Sequence, residues 1–240
     1  PFPEEFNRMA AGIVADLHFA PTERSRQALL AERVRPESIH VTGNTVIDAL
    51  LQTASKTAPY KLADGFDKMI LVTAHRRENF GVPMRNIFQA VRRLCETTPG
   101  LQVLYPVHPN PQVKDLAYEM LSNIKGVTLC APLDYHDFIA AMKASYFLLS
   151  DSGGVQEEAP ALGKPVLVLR EETERPEAVE AGGVRLVGSN TDRIVTAAQE
   201  LLSNAEHYKS MACPRMPYGD GRAAERITDI LLGFLNHSRI

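Results

Sequence analysis

The sequence predicts an α/β fold with a mainly parallel sheet, and three observations carry that expectation. Eight short apolar runs rich in β-branched residues alternate with amphipathic segments of helical period. The runs are apolar throughout rather than alternately polar, as in strands covered on both faces. Polar, ligand-like residues gather at the carboxyl ends of three of them, where open α/β sheets bind their ligands.

The strands are expected at "LHFAP" (17–21), "IHVTG" (39–43), "MILVTAH" (69–75), "LQVLYPVH" (101–108), "VTLCA" (127–131), "YFLLSD" (146–151), "PVLVLR" (165–170) and "VRLVG" (184–188). Helical patterns separate them: "EEFNRMAAGIVA", then "TERSRQALLAER" with Thr22 placed to cap it after Pro21. "TVIDALLQTAS", "MRNIFQAVRRLCET", "PQVKDLAYEMLSN", "YHDFIAAMKAS", the short "GVQEEAPAL", "TDRIVTAAQELLSN" and "GRAAERITDILLGFLNH" come after these. Hinge-like turn chemistry occurs in "TGNTVID" and "RMPYGDGR". Residues 44–219 thus form one complete doubly wound, Rossmann-like domain of six strands. Residues 1–43, with a returning helix over 220–240, are expected to be the C-terminal remnant of a second such domain. The opening "PFPEEFNRMAAG" has no initiator Met and reads as the start of a fragment.

Composition narrows the function classes. The 240 residues are 45% hydrophobic and 23% charged, with a formal net charge of −3. No basic excess points to nucleic acid, and no apolar run reaches the ~20 residues that span a bilayer. Cys95, Cys130 and Cys213 are far apart, without CxxC or Cys/His spacing. They read as reduced thiols of a cytoplasmic protein, two of them in core positions, and no metal site is expected.

The chemistry-bearing residues lie at the ends of three strands. His75-Arg76-Arg77-Glu78-Asn79 ends the third run, where two guanidiniums suit phosphate or carboxylate and an imidazole suits proton transfer. A solvated loop is the plain alternative. His108-Pro109-Asn110-Pro111 ends the fourth run, presenting an imidazole from a stiff turn or holding it in a structural hydrogen bond. Asp151-Ser152-Gly153-Gly154 ends the sixth and opens a helix at once, which leaves free amides and partial positive charge for an anion. Glu158 lies about one turn further on, where it would repel a phosphate but accept two hydrogen bonds from a vicinal diol. Diphosphate at the amides and ribose at the carboxylate make a nucleotide-sugar site. The lesser reading is that Glu157 and Glu158 only complement the helix dipole. A fourth stretch, Glu174-Arg175-Pro176-Glu177, is either a second ligand loop or an exposed salt-bridged connection.

Taken together, "PFPEEFNR", "FAPTE", "TGNTVIDAL", "LVTAHRREN", "YPVHPNP", "SDSGGVQEEAPALGKPVLVLR", "TERPEAVEAGGVRLVG" and "PYGDG" closely resemble the non-hydrolysing UDP-N-acetylglucosamine 2-epimerases of bacteria. The resemblance covers essentially the whole chain. It implies the GT-B architecture, two Rossmann-like domains facing one another across a cleft. It also implies a first domain starting upstream of PEE with an "FGTRPE"-type strand, which does not occur here, so the sequence is similar to the C-terminal two-thirds of such an enzyme.

Residue by residue, the resemblance implies that Glu4 and His75 belong to the acid/base set. It places Arg76 and Arg77 at charged ligand groups, His108 at the sugar nucleotide, and Ser152, Gly153, Gly154 and Glu158 in the UDP-binding turn. Glu174 and Arg175 join them as candidate ligand contacts. The implied reaction interconverts UDP-GlcNAc and UDP-ManNAc through a 2-acetamidoglucal intermediate, without cofactor or metal, in a homodimer that supplies envelope or capsule polysaccharide synthesis. Further acidic residues of the family lie outside this chain, so the chain by itself is expected to bind UDP without turnover. Three readings compete: a GT-B glycosyltransferase using a UDP-sugar, a hydrolysing epimerase, and a sugar-nucleotide-binding module without turnover.

Overall fold

The computed structural model describes residues 2–237. Its elements run α1 (Glu4–Val14), β1 (His18–Ala20), α2 (Glu23–Ala31), β2 (Ile39–Val41), α3 (Thr45–Lys56), β3 (Lys68–Thr73), α4 (Val82–Thr97), β4 (Leu101–Pro106), α5 (Pro111–Leu121), β5 (Val127–Cys130) and α6 (Tyr135–Ala144). They continue with β6 (Phe147–Ser150), α7 (Gly153–Ala161), β7 (Val166–Val168), α8 (Pro176–Glu180), β8 (Val184–Leu186), α9 (Thr191–Ser203), α10 (Ala205–Met211) and α11 (Ala223–His237). Two 3-10 turns, Pro36–Ser38 and Arg77–Asn79, complete the described elements.

The chain divides into two compact units, one holding the residues up to Leu51 and from Tyr218 onward, the other Gln52–Pro217. In the first, β1 pairs parallel with β2. Thr22 caps α2 by accepting from the Ser25 amide at 3.1 Å, as the sequence leads one to expect. The division falls after Leu51 rather than at the Gly43 turn. The reason is local: Asp48, on the first turns of α3, accepts from the amides of Ala223 and Ala224 at 3.1 and 2.8 Å and so caps α11. Helix α1 buries none of its residues, and Phe6, Met9 and Ile13 are exposed along it.

The second unit is Rossmann-like. Its six strands are all parallel, in the order β5-β4-β3-β6-β7-β8. Strands β3, β4, β6 and β7 are buried almost throughout, which explains why their sequences carry no polar alternation. Phe88 and Leu94 of α4 and Ile194 and Leu201 of α9 are fully buried in one cluster with Tyr105, Phe147 and Leu149 of the sheet. Each such side chain contributes ~1.5–3 kcal/mol through burial. Asn110, Asp134 and Asn190 cap α5, α6 and α9 with their side chains. Cys95 and Cys130 are half-buried rather than core, and Cys213 is exposed; all three are free.

Two departures from the sequence reading have clear causes. The pattern over 191–204 ends at Asn204 and a further helix, α10, begins there, because Asn204 accepts from the amides of Glu206 and His207 at 3.1 and 3.0 Å. Strand β3 stops at Thr73, short of His75. The amides of His75 and Arg76 turn away from the ladder to Asp151, and that turn builds the site.

Candidate functional site

Strand order decides where a ligand crevice lies. From β3 the chain builds β4 and β5 on one side, then crosses back to place β6 on the other. The gap beyond the carboxyl ends of β3 and β6 is therefore the topological switch point, where open α/β sheets hold ligands. Thr73 and Ser150 are in register across the two strands, and their hydroxyls meet at 2.6 Å. The loops leaving the two strands consequently start side by side.

A pocket of about 250 Å³ opens there, lined by His75, His108, Ser152, Gly154, Val155 and Glu158 among others. Asp151, fully buried, organises one wall. Its Oδ2 accepts from the His75 amide at 2.9 Å, the Arg76 amide at 2.8 Å and Asn79 Nδ2 at 3.0 Å. Asn79 also donates to the Leu169 carbonyl at 3.2 Å, which ties the 3-10 turn to the end of β7. The His75 ring stacks on His108 with centroids 5.5 Å apart and planes inclined by 14°. His108 is held by its own loop, Nδ1 accepting from the Asn110 amide at 3.1 Å. Burial pushes the His75 imidazole below its usual range; the Asp151 carboxylate opposes this, while His108 and Arg76 reinforce it.

The other wall is the start of α7. The Ser152 amide is spent on Ser150 Oγ at 3.0 Å. The amides of Gly153, Gly154 and Val155 donate to no group among the described residues, so the turn keeps the free donors its sequence suggests. A Cβ at Gly153 would lie 3.5 Å from Arg76 Nη2 and 4.0 Å from Arg175 Nη2. Two guanidiniums from separate loops thus converge on the bare backbone of Gly153, a donor set that fits a diphosphate. Arg175 is oriented by an ion pair from its Nε to buried Glu157, and its amide donates to Thr173 Oγ1 at 3.0 Å. Glu157 therefore anchors Arg175 rather than merely facing the helix dipole.

Glu158 is buried and accepts from the hydroxyl of Tyr135 at 2.7 Å. Burial raises its pKa above the ordinary carboxylate range; Tyr135 lowers it in part and Glu157 raises it. The Tyr135 hydroxyl is pushed up by burial and by that same hydrogen bond. Tyr135 reads in the sequence as an ordinary first residue of a helix, and nothing local to it announces a partner on α7.

Five expected side chains, Arg76, Arg77, Glu174, Arg175 and Glu4, are not among those lining the pocket, and of these Arg76 and Arg175 converge on Gly153. Glu174 does not line the pocket: both its oxygens take bidentate hydrogen bonds from Arg170, at 2.7 and 2.8 Å, which holds its carboxyl at about 2. In the structure Glu174 is an exposed carboxylate paired with Arg170. Arg77 is exposed on the 3-10 turn and does not line the pocket. Glu4 stands exposed in the first turn of α1, in the first unit. Among the described residues no group of three or more His, Cys, Asp or Glu could hold a metal, and no helix is long and apolar enough to cross a membrane.

A family model described as UDP-N-acetylglucosamine 2-epimerase matches residues 1–232. The chain belongs to the UDP-N-acetylglucosamine 2-epimerase family. It is 51% identical to the UDP-N-acetylglucosamine 2-epimerase of Bacillus subtilis over 234 residues, which are 97% of this chain and 62% of that protein. The chain thus spans less than two thirds of the length of that relative. It is similar to a crystal structure of the Neisseria meningitidis UDP-GlcNAc 2-epimerase bound to UDP-GlcNAc, with 43% identity and a TM-score of 0.91 over 97% of this chain and 66% of the other. An MnaA–UDP co-structure from S. aureus matches at 46% identity and a TM-score of 0.87, over 98% of this chain and 65% of the other. The Bacillus subtilis and Neisseria meningitidis proteins are named as epimerases, and the glycosyltransferase reading is not favoured.

Proposed function

We propose that this chain supplies the UDP-binding part of an enzyme that interconverts UDP-GlcNAc and UDP-ManNAc. The observation that carries the reading is the convergence of Arg76, Arg175 and the free amides of Gly153, Gly154 and Val155, one helical turn from the buried carboxylate of Glu158. In the proposal the diphosphate takes the amides and guanidiniums, with Ser152 adding a hydroxyl. Glu158, positioned by Tyr135, accepts the two ribose hydroxyls. His108 borders the sugar nucleotide beside His75.

The chemistry needs a firmly held leaving group. C2 of the sugar has no adjacent carbonyl, so its proton leaves only as the C1–oxygen bond breaks. The C2–H electron pair becomes the C1–C2 double bond, and the C1–oxygen pair departs on UDP. Re-addition of UDP with protonation from the opposite face inverts C2. Cationic and amide donors stabilise the charge that develops on the diphosphate and keep the two fragments together. His75 is assigned proton transfer at this site, and Glu4 is a second acid/base candidate on its own unit. No cofactor or metal enters the proposed reaction. A homodimer and a cytoplasmic location, where nucleotide sugars and reduced thiols are found, complete the proposal.

The test uses an enzyme containing this chain together with the remaining length of its relatives. Incubated with UDP-GlcNAc in D2O and no acceptor, it should form UDP-ManNAc carrying deuterium at C2, without free sugar, as followed by proton NMR. Release of free ManNAc would replace the proposal with a hydrolysing epimerase. Turnover only with an added acceptor would replace it with a transferase.

A further inference from the structure

Asp151 has more acceptor capacity than its scaffolding role uses. The side chain is fully buried, and its Oδ2 already takes three donors. Oδ1 is buried without a hydrogen-bond partner among the described residues. A buried carboxylate oxygen left bare is costly, and its presence calls for an explanation. The cationic or donor group facing it is His75 Nδ1, at 3.5 Å.

We propose that Asp151 is a positioning residue for His75: Oδ1 holds the ring with Nδ1–H turned to the carboxylate, so that Nε2 is the atom that exchanges protons in the pocket. The inference deepens the proposed epimerase reading and rests on it only for the use made of that proton. Two constraints meet at the ring. Stacking on His108 fixes its plane. Asp151 fixes its rotation within that plane, with Oδ1 facing Nδ1 at 3.5 Å. His108 does not compete for Oδ1, since its own Nδ1 is committed to the Asn110 amide.

The other groups around His75 are accounted for. Tyr105, buried on β4, donates its hydroxyl to the Ala74 carbonyl at 2.7 Å. Arg76 lies beside the ring and adds like charge, and Ser152 and Glu158 line the same pocket. Asp151 alone among these faces Nδ1 as a carboxylate. When His75 accepts a proton at Nε2, the imidazolium keeps Nδ1–H on Asp151; when it gives the proton up from Nε2, the same tautomer returns. Asp151 orients the ring in both states, as carboxylates behind catalytic histidines do.

The test reads the ring directly, in the 240-residue chain labelled with nitrogen-15. Long-range proton–nitrogen spectra across a pH series report tautomer and titration of each imidazole, with His75 assigned from the signal lost in His75→Gln. Wild type should show neutral His75 protonated at Nδ1. In Asp151→Asn the amide oxygen can still receive the three donors, while the amide nitrogen now faces Nδ1 and donates to it. His75 should switch to the Nε2–H tautomer, and its midpoint should fall by ~1 pH unit or more. Arg76→Ala should move the midpoint the opposite way. Wild-type His75 protonated at Nε2 would overturn the assignment, and so would an Asp151→Asn protein whose His75 tautomer and midpoint are unchanged. If Asp151→Asn does not fold, the wild-type tautomer alone decides. The readout contains no nucleotide, so its outcome is independent of whether UDP binds.

Discussion

Two neighbouring strands of the second unit each end in a buried charge, and the charges are treated differently. Arg170, two residues past β7, has every nitrogen of its guanidinium engaged: Nε donates to Glu78, and the two terminal nitrogens donate to Glu174 at 2.7 and 2.8 Å. Asp151, one residue past β6, has one oxygen crowded by three donors and the other bare. A buried ion with all partners supplied is scaffolding; here Arg170 pins the HRREN turn through Glu78 and the TERPE loop through Glu174. Those are the segments that carry Arg76 and Arg175. A buried ion with an atom to spare is placed to act on something adjacent, and at Asp151 that something is His75.

Removing the buried charge at the end of β6 has the largest expected effect. Asp151→Ala leaves three N–H donors without their acceptor, each costing ~1–3 kcal/mol, so urea unfolding should show at least ~3 kcal/mol of lost stability. A loss below ~1 kcal/mol would mean the turn is held by other contacts.

Glu158 is the next strongest probe, because function and stability should move in opposite directions. Its carboxylate is buried with a raised pKa, so the folded state bears a penalty above that pKa which vanishes as pH falls toward the ordinary carboxylate range. Glu158→Gln should stabilise the nucleotide-free protein by ~0.5–1 kcal/mol while weakening UDP ~10–100-fold, because a neutral amide accepts diol hydrogen bonds poorly. UDP affinity of the wild type should decline as pH drops through the raised Glu158 pKa. A flat affinity across that window would remove the carboxylate from ribose recognition.

Gly153→Ala tests the anion turn itself. Gly153 has no left-handed backbone angle, and the added methyl would stand 3.5 Å from Arg76 Nη2. Stability should be little changed while UDP binding weakens ~10-fold, as expected when close approach to the backbone is blocked. The smallest effect belongs to the β7 end. Glu174 is held at about 2 by Arg170, so the pair stabilises above the unfolded carboxylate pKa and its contribution is lost as pH falls toward 2. Glu174 is largely exposed, so Arg170→Gln should cost only ~1 kcal/mol at neutral pH through that pair. The cost should shrink between pH ~4 and ~2, visible in thermal melts as a flatter pH profile.

The same contrast explains how much could be read from the sequence. The eight described strands lie where the apolar runs place them, because burial on both faces leaves a continuous signal. The free amides after Ser152 were legible too, since Ser-Gly-Gly at a strand-to-helix junction needs no distant partner. Asp151 and Tyr135 were not, because their partners lie 75 or 76 and 23 residues away in the chain. The pairing of Glu174 with Arg170 was not legible either, because a four-residue spacing brings two side chains together only within a helix, and this stretch is not helical. Short-range chemistry shows in a sequence, whereas charges satisfied across strands show only once the sheet has brought them together.

Titration of UDP into the 240-residue chain by calorimetry, beside Ser152→Ala and Glu158→Gln, reads the nucleotide site itself. A single saturable site is predicted, with ~5-fold weaker binding for Ser152→Ala, about one hydrogen bond, and the larger loss for Glu158→Gln. No heat of binding in wild type, or one affinity shared by all three proteins, would contradict the account.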